Sequence, residues 1–200
     1  MVLGALMLLG ALGLFLRNNR ETETAQAASA VVLPEIKTAI EIRGEQEETE
    51  PEEEVPNTPP ELLTQEELVM TESVISGRNY IGYLYIPKLE LELPILSQWS
   101  YDGLRVAPAR YYGTLKGEDL VLLAHNYPVH FGRLSSLQEG DSVLFTDMDG
   151  QVWHYAVVAK DVLNPQAVEE VTAGAYDLTL FTCTYGGQSR VTVYCNLIRE

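Results

Sequence analysis

Cys183 and Arg190 are the two residues whose types and spacing most directly suggest chemistry. They bracket Thr184-Tyr-Gly-Gly-Gln-Ser189, and Gly186-Gly187 is a favoured centre for a two-residue hairpin turn. With that turn, Thr184 faces Ser189 and Cys183 faces Arg190, so a thiol and a guanidinium project from one sheet face. An unpaired charge is costly in a packed interior, whereas a cation beside a thiol can stabilise a thiolate or a developing oxyanion. The same register sends Leu178, Leu180, Val191, Val193 and Cys195 to the opposite face, as core. Cys195 falls opposite Leu178, about 16 Å along the strand from Cys183, far beyond the Cα separation of about 7 Å that a disulfide tolerates. Both cysteines are therefore expected as free thiols, Cys195 inert and Cys183 reactive. Thr179, Phe181, Thr192 and Tyr194 share the Cys183 face. They form either the floor of a peptide groove or packing beneath a loop.

A nucleophilic thiol also needs a proton-transfer partner. Of the 3 histidines, His125 ends the apolar run Leu120-Val-Leu-Leu-Ala-His125 and enters a loop, where scaffolds commonly present functional groups. His130 lies beyond Pro128 in the same loop and is expected in solvent. His154 alternates within a strand between Trp153 and Tyr155 and reads as structural.

These residues must be positioned by short strands and turns. From about Ser76 the pattern gives strands at Tyr80–Ile86, Leu89–Leu96, Leu120–His125, Val143–Thr146 and Val152–Val158, followed by the Cys183 hairpin. One or two helical turns are expected at Phe131–Leu137, and some helical tendency at Asn164–Ala175. Many short strands with little helix indicate an all-β, closed or nearly closed structure.

The 200-residue chain carries a net charge of −16, most of it within residues 17–75. That region holds the acidic run Glu45–Glu54 and the proline-rich Val55-Pro-Asn-Thr-Pro-Pro60, and reads as a disordered stalk. Val31-Val-Leu-Pro-Glu-Ile36 is an apolar island within it, a candidate docking segment. Neither part offers a basic patch, which argues against nucleic acid. Residues 1–16 are apolar and uncharged, somewhat short of the roughly 20 residues of a spanning helix. A membrane anchor is expected there, with a cleaved signal peptide as its rival, since Ala25-Gln-Ala27 and Ala28-Ser-Ala30 offer small-residue cleavage sites. Arg17 and Arg20 would sit on the outer side, against the positive-inside tendency; basic residues upstream of Met1 would resolve this. The expected layout is an anchor at 1–16, a stalk at 17–75 and a catalytic barrel at 76–200.

Thr179-Leu-Phe-Thr-Cys183 with the downstream Arg190 resembles the sortase signature Thr-Leu-x-Thr-Cys followed by Arg. Tyr80-Ile-Gly-Tyr-Leu-Tyr-Ile-Pro-Lys-Leu89 is similar to the family's first strand and Ile-Pro turn. Phe131-Gly-Arg-Leu134 and Glu139-Gly-Asp141 resemble the segment after its catalytic histidine. That histidine is usually preceded by Gly, and here by Ala124. The resemblance implies a closed eight-stranded sortase-like β-barrel and a cysteine transpeptidase. Cys183 would attack the Thr–Gly carbonyl of an LPxTG-like sorting signal. His125 would serve as acid, then base, and Arg190 would hold the substrate backbone and oxyanion. Thr182 would serve the oxyanion site or positioning; if the Cys183 face is a groove floor rather than packing beneath a loop, Phe181, Thr192 and Tyr194 on it would bind substrate.

Expected partners are secreted proteins with that C-terminal signal, an amine acceptor (peptidoglycan cross-bridge, lipid II or pilin Lys) and the membrane, with the domain outside the cell. No metal or organic cofactor is implied. Calcium among Glu118, Asp119, Glu169 and Glu170 is the lesser reading of solvated loop carboxylates. The short Cys183–Arg190 loop and the short 164–175 connection suggest a class D-like member. The rivals are a hydrolase using the same acyl-enzyme and a non-catalytic surface β-barrel scaffold. The Ser-His-Gly-Cys signature of L,D-transpeptidases is absent.

Overall fold

The computed structural model describes residues 2–47, 64 and 68–199. Among them run strands β1 (Ser73–Ile75), β2 (Arg78–Ile86), β3 (Leu91–Leu96), β4 (Ala109–Tyr112), β5 (Leu120–Ala124), β6 (Ser142–Asp147), β7 (Val152–Leu163), β8 (Leu178–Cys183) and β9 (Arg190–Leu197). Helix α1 is Val2–Glu47 and the short α2 is Val168–Val171. The spatial order is β1-β2-β3-β4-β5-β8-β9-β7-β6, and β2 also pairs with β6. Strands β2 to β9 thus close the expected eight-stranded barrel, with β1 added beside the start of β2. At the closing seam Gly82 has φ 137°, and any Cβ there would collide with the Thr146 carbonyl. Only glycine permits that approach of β2 to β6.

Inward-facing residues such as Leu84, Leu93, Leu122, Phe145, Leu180 and Val193 fill the barrel. Cys195 is fully buried among them, and both cysteines are free. The short strands β1 and β4 and a 3-10 turn at Gly103–Arg105 go beyond the sequence reading. Pro87–Leu89 forms a 3-10 turn that Glu90 ends in the left-handed region at φ 51°, so β3 begins at Leu91 rather than Leu89.

The largest departure lies before the barrel. Residues 17–47 were expected as part of a disordered stalk, yet they continue α1, with Pro34 inside it. Ala25, Ser29, Val32 and Ile36 recur at helical spacing and are all buried. Val32 and Ile36 pack against Ile75, Tyr80, Leu104 and Met148, each burial contributing about 1.5–3 kcal/mol. Ion pairs Lys37–Glu92 at 2.7 Å and Arg43–Asp149 at 3.1 Å border this contact. Exposed pairs of that kind contribute about 0–1 kcal/mol each, so the apolar stripe holds the helix. The docking expected of Val31–Ile36 is therefore real, within a longer element. The acidic, proline-rich 48–63 lies outside the described residues. Among the described residues no helix is long and apolar enough to cross a membrane; the anchor expected at 1–16 rests on sequence alone.

Candidate active site

Two strand pairings assemble the site. β5 and β8 are parallel neighbours in which Ala124 pairs with Thr182, so His125, which follows β5, and Cys183, which ends β8, come to the same end of the sheet. β8 and β9 are antiparallel, with Cys183 opposite Arg190 as expected. The Thr182 hydroxyl, itself buried, donates to the Ala124 carbonyl at 2.8 Å. It ties the strand carrying the histidine to the strand carrying the thiol, which favours the positioning alternative for Thr182.

The hairpin turn differs in detail. The Gly187 amide donates to the Thr184 carbonyl at 2.8 Å, centring the turn on Tyr185-Gly186 rather than on Gly186-Gly187. Both glycines have positive φ, 83° and 70°, a conformation that L side chains resist. The Thr184 amide still donates to the Ser189 carbonyl at 3.0 Å. The wider loop therefore keeps the Cys183–Arg190 register.

Cys183, His125 and Arg190 line one cleft of about 220 Å³, together with Phe181 and Thr182. Thr192 and Tyr194, also expected to bind substrate, are buried and lie outside its lining. Tyr194 instead stacks on Tyr176 at 4.4 Å between ring centroids. α2 and Asn164-Pro165 form one wall, and Trp99, Tyr101 and Tyr111 another. Tyr111 meets Phe181 edge-on at 5.4 Å, and Trp99 meets Tyr101 edge-on at 5.6 Å. Tyr101 is 79% exposed, apolar surface available to a peptide. The sequence reading missed this aromatic wall because it comes from β4 and from the loop before it. The available signal was the cluster Trp99-Ser-Tyr101 and Tyr111-Tyr112.

Cys183 is half-buried. Burial holds the His125 imidazole below its ordinary pKa of 6.5; Glu21 opposes that shift and Arg105 adds to it. One Arg190 guanidinium nitrogen donates to the carbonyls of Gly187 and Ser189, each at 3.2 Å. His130 is not in solvent as expected, because its loop folds back on itself: the Phe131 amide donates to His125 O and the His130 amide to Tyr127 O. Its ring is fully buried, and neither nitrogen meets hydrogen-bond geometry with any described residue. Burial first, then His125, push its pKa down to about 4, with the Val106 backbone a weak counterweight. His154 lies exposed on β7. Burial pushes the Cys195 thiol up to about 12. Of the loop carboxylates, Glu118 pairs with Arg199 at 2.6 Å and Asp119 accepts the Thr114 amide at 2.9 Å. Among the described residues no group of three or more His, Cys, Asp or Glu is placed to hold a metal ion.

The sequence matches the sortase domain family model over residues 84–198. The chain belongs to the sortase family. No curated protein matches it. Among solved structures, this sortase is similar to sortase C1 of Streptococcus suis, at 29% identity and TM-score 0.53, covering 60% of this chain and 74% of that one. It is also similar to Streptococcus pneumoniae sortase C, a structure described for catalysis and pilin substrate specificity. That match has 25% identity and TM-score 0.58, covering 84% of this chain and 97% of the other. A Clostridium perfringens sortase D5 transpeptidase shares the fold at 18% identity and TM-score 0.62, covering 86% and 99% of the two chains. Sortases are cysteine transpeptidases, and this sortase is an enzyme of that class.

Proposed function

We propose that this sortase cleaves an LPxTG-like sorting signal between Thr and Gly and transfers the acyl portion to an amine. Supporting this is the convergence of Cys183, His125 and Arg190 on one cleft through two strand registers. The Cys183 thiol proton passes to His125 and the sulfur attacks the Thr carbonyl carbon. The carbonyl π electrons move to oxygen, and Arg190 stabilises that oxyanion. As the oxyanion collapses, the C–N bond breaks and His125 gives its proton to the departing Gly amine. The resulting thioester is attacked by the acceptor amine, His125 takes the amine proton, and the C–S bond breaks to free Cys183. Atoms and charge balance with no metal or organic cofactor.

The aromatic wall of Trp99, Tyr101, Tyr111 and Phe181 suits the apolar Leu-Pro part of such a signal. The acceptor is a cell-wall or pilin amine. Residues 1–16 anchor the chain in the membrane, with the barrel outside. A class D-like membership rests on the short Cys183–Arg190 loop.

The test is full-length protein in detergent micelles, incubated with LPxTG-like peptides and triglycine, with products read by mass spectrometry. Ligated product that vanishes in Cys183→Ala is expected. Cleavage without ligation would make the enzyme a hydrolase, and undiminished cleavage by Cys183→Ala would overturn the proposal.

A further inference from the structure

Tyr127 joins the His125 loop to the N-terminal helix. Its hydroxyl donates to Glu21 Oε2 at 3.2 Å, while Arg17 Nε donates to Glu21 Oε1 at 3.1 Å. The Glu21 carboxylate is thus oriented from both sides, and the Arg17 contact leads in holding its pKa below the usual value. Further along α1, Val32 and Ile36 are buried in one cluster with Ile75, Tyr80, Leu104 and Met148, which fixes the helix against the barrel. Glu21 therefore approaches Tyr127 from an anchored element, not from a free arm.

Tyr127 also organises its own loop. Its carbonyl accepts the amides of His130, at 2.9 Å, and Gly132, at 3.0 Å. A Cβ on Gly132 would overlap the Asn126 carbonyl and lie 2.7 Å from the Tyr127 carbonyl, so the loop has no slack there. The Tyr127 ring packs between two histidines, with its centroid 5.0 Å from that of His125 and 5.5 Å from that of His130. With 6% of its surface exposed, it has little room to move. One side chain thus touches the imidazole in the cleft, the fully buried His130 and the carboxylate of α1.

We propose that Tyr127, held by Glu21 of α1, is the positioning residue for His125, so that the N-terminal helix is part of the catalytic apparatus of the barrel. The proposal rests on the transpeptidase reading for its kinetic consequence, though not for its geometry. Its second effect is electrostatic. The charged and titratable groups around His125 are Glu21 and Arg17 on α1, Arg105 on the 3-10 turn, Tyr127 and His130 in the loop, and Cys183 and Arg190 across the cleft. Of the carboxylates near it, Glu21 acts to favour the imidazolium, against burial and Arg105. Loss of the Glu21 charge thus lowers the fraction of His125 able to protonate a leaving amine at a given pH.

Full-length protein in micelles, labelled at histidine with ¹³C and ¹⁵N, separates the two effects. Glu21→Gln can still accept from the Tyr127 hydroxyl but carries no charge. It is expected to move the His125 titration midpoint to lower pH by NMR and to lower kcat, though by less than the variants that lose the hydrogen bond. Glu21→Ala and Tyr127→Phe each lose the hydrogen bond and are expected to lower kcat roughly tenfold with KM little changed. The two losses do not add in the double variant, as befits residues acting in series. Glu23→Gln, on the solvent side of the same helix, should leave both readouts at wild-type values.

An unshifted His125 midpoint in Glu21→Gln, or independent losses in the double variant, would overturn the proposal. A wild-type protein that processes no sorting peptide while its His125 midpoint still follows Glu21 overturns the functional reading and leaves the coupling in place.

Discussion

Thiol reactivity tests the register of the hairpin without presuming any substrate. The perturbation is an alkylating reagent such as iodoacetamide at pH 8, applied to wild type, Cys183→Ala and Cys195→Ala. Burial pushes the Cys195 thiol up to about 12, against 9.0 for an ordinary cysteine. At pH 8 roughly one Cys195 in ten thousand is then a thiolate, against about one in ten for an ordinary thiol, so ionisation alone slows alkylation about a thousandfold. Exclusion of the reagent from a site with 0% exposure slows it further. Cys183 is half-buried and lines the cleft, within reach of the reagent. Peptide mapping by mass spectrometry should therefore find one modified cysteine in folded wild type and two in denaturant. Cys183→Ala should remain essentially unlabelled until unfolded. Labelling of Cys195 in the folded protein within tenfold of the Cys183 rate would refute the two-face assignment, and with it the argument that separated a reactive thiol from an inert one.

Two further outcomes follow from single contacts. Thr182→Val keeps the side-chain shape but leaves the Ala124 carbonyl without the hydroxyl it accepts from at 2.8 Å, a cost of about 1–3 kcal/mol. Urea denaturation monitored by tryptophan fluorescence should show it, with Thr182→Ser much closer to wild type; a loss below about 0.5 kcal/mol would mean the hydroxyl does not tie the two strands. His130 makes stability pH-dependent, because its folded pKa of about 4 lies below the ordinary 6.5. As pH falls through that window the unfolded chain gains a proton that the native chain refuses, so stability is lost, by up to about 3 kcal/mol near pH 4. His130→Phe keeps a ring against Tyr127 and should flatten that acid slope; equal slopes in the two proteins would count against the buried neutral imidazole.

The pairing of Cys183 with Arg190 was legible because a hairpin is local. Glycines with positive φ mark the turn, alternation by two assigns each residue to a face, and Thr184 and Ser189 close the base even though the turn centre is Tyr185-Gly186. The same local rule separated Cys195 from Cys183 and found the strand that ends next to His125. Where the outcome depends on what packs against a face, the rule is silent. Thr192 and Tyr194 share the Cys183 face yet lie outside the cleft lining, since alternation names a face and not its neighbour. His130 follows Pro128 in a polar-looking loop, and only the backbone bonds that fold the loop back bury it.

Local patterning by itself determined a chain of short strands, a thiol beside a guanidinium, and the order of motifs that places it among the sortases. Tertiary structure alone decided which residues surround that thiol. The parallel pairing of β5 with β8 brings His125 to Cys183 across a long stretch of sequence, and no local periodicity encodes such a pairing. Residues 17–47 of the stretch read as a disordered stalk instead continue α1, because Val32 and Ile36 find a complementary barrel face that the acidic composition conceals. Burial depends on the partner surface as much as on the segment, so the N-terminal helix and its hold on Tyr127 emerge only when the whole chain is folded.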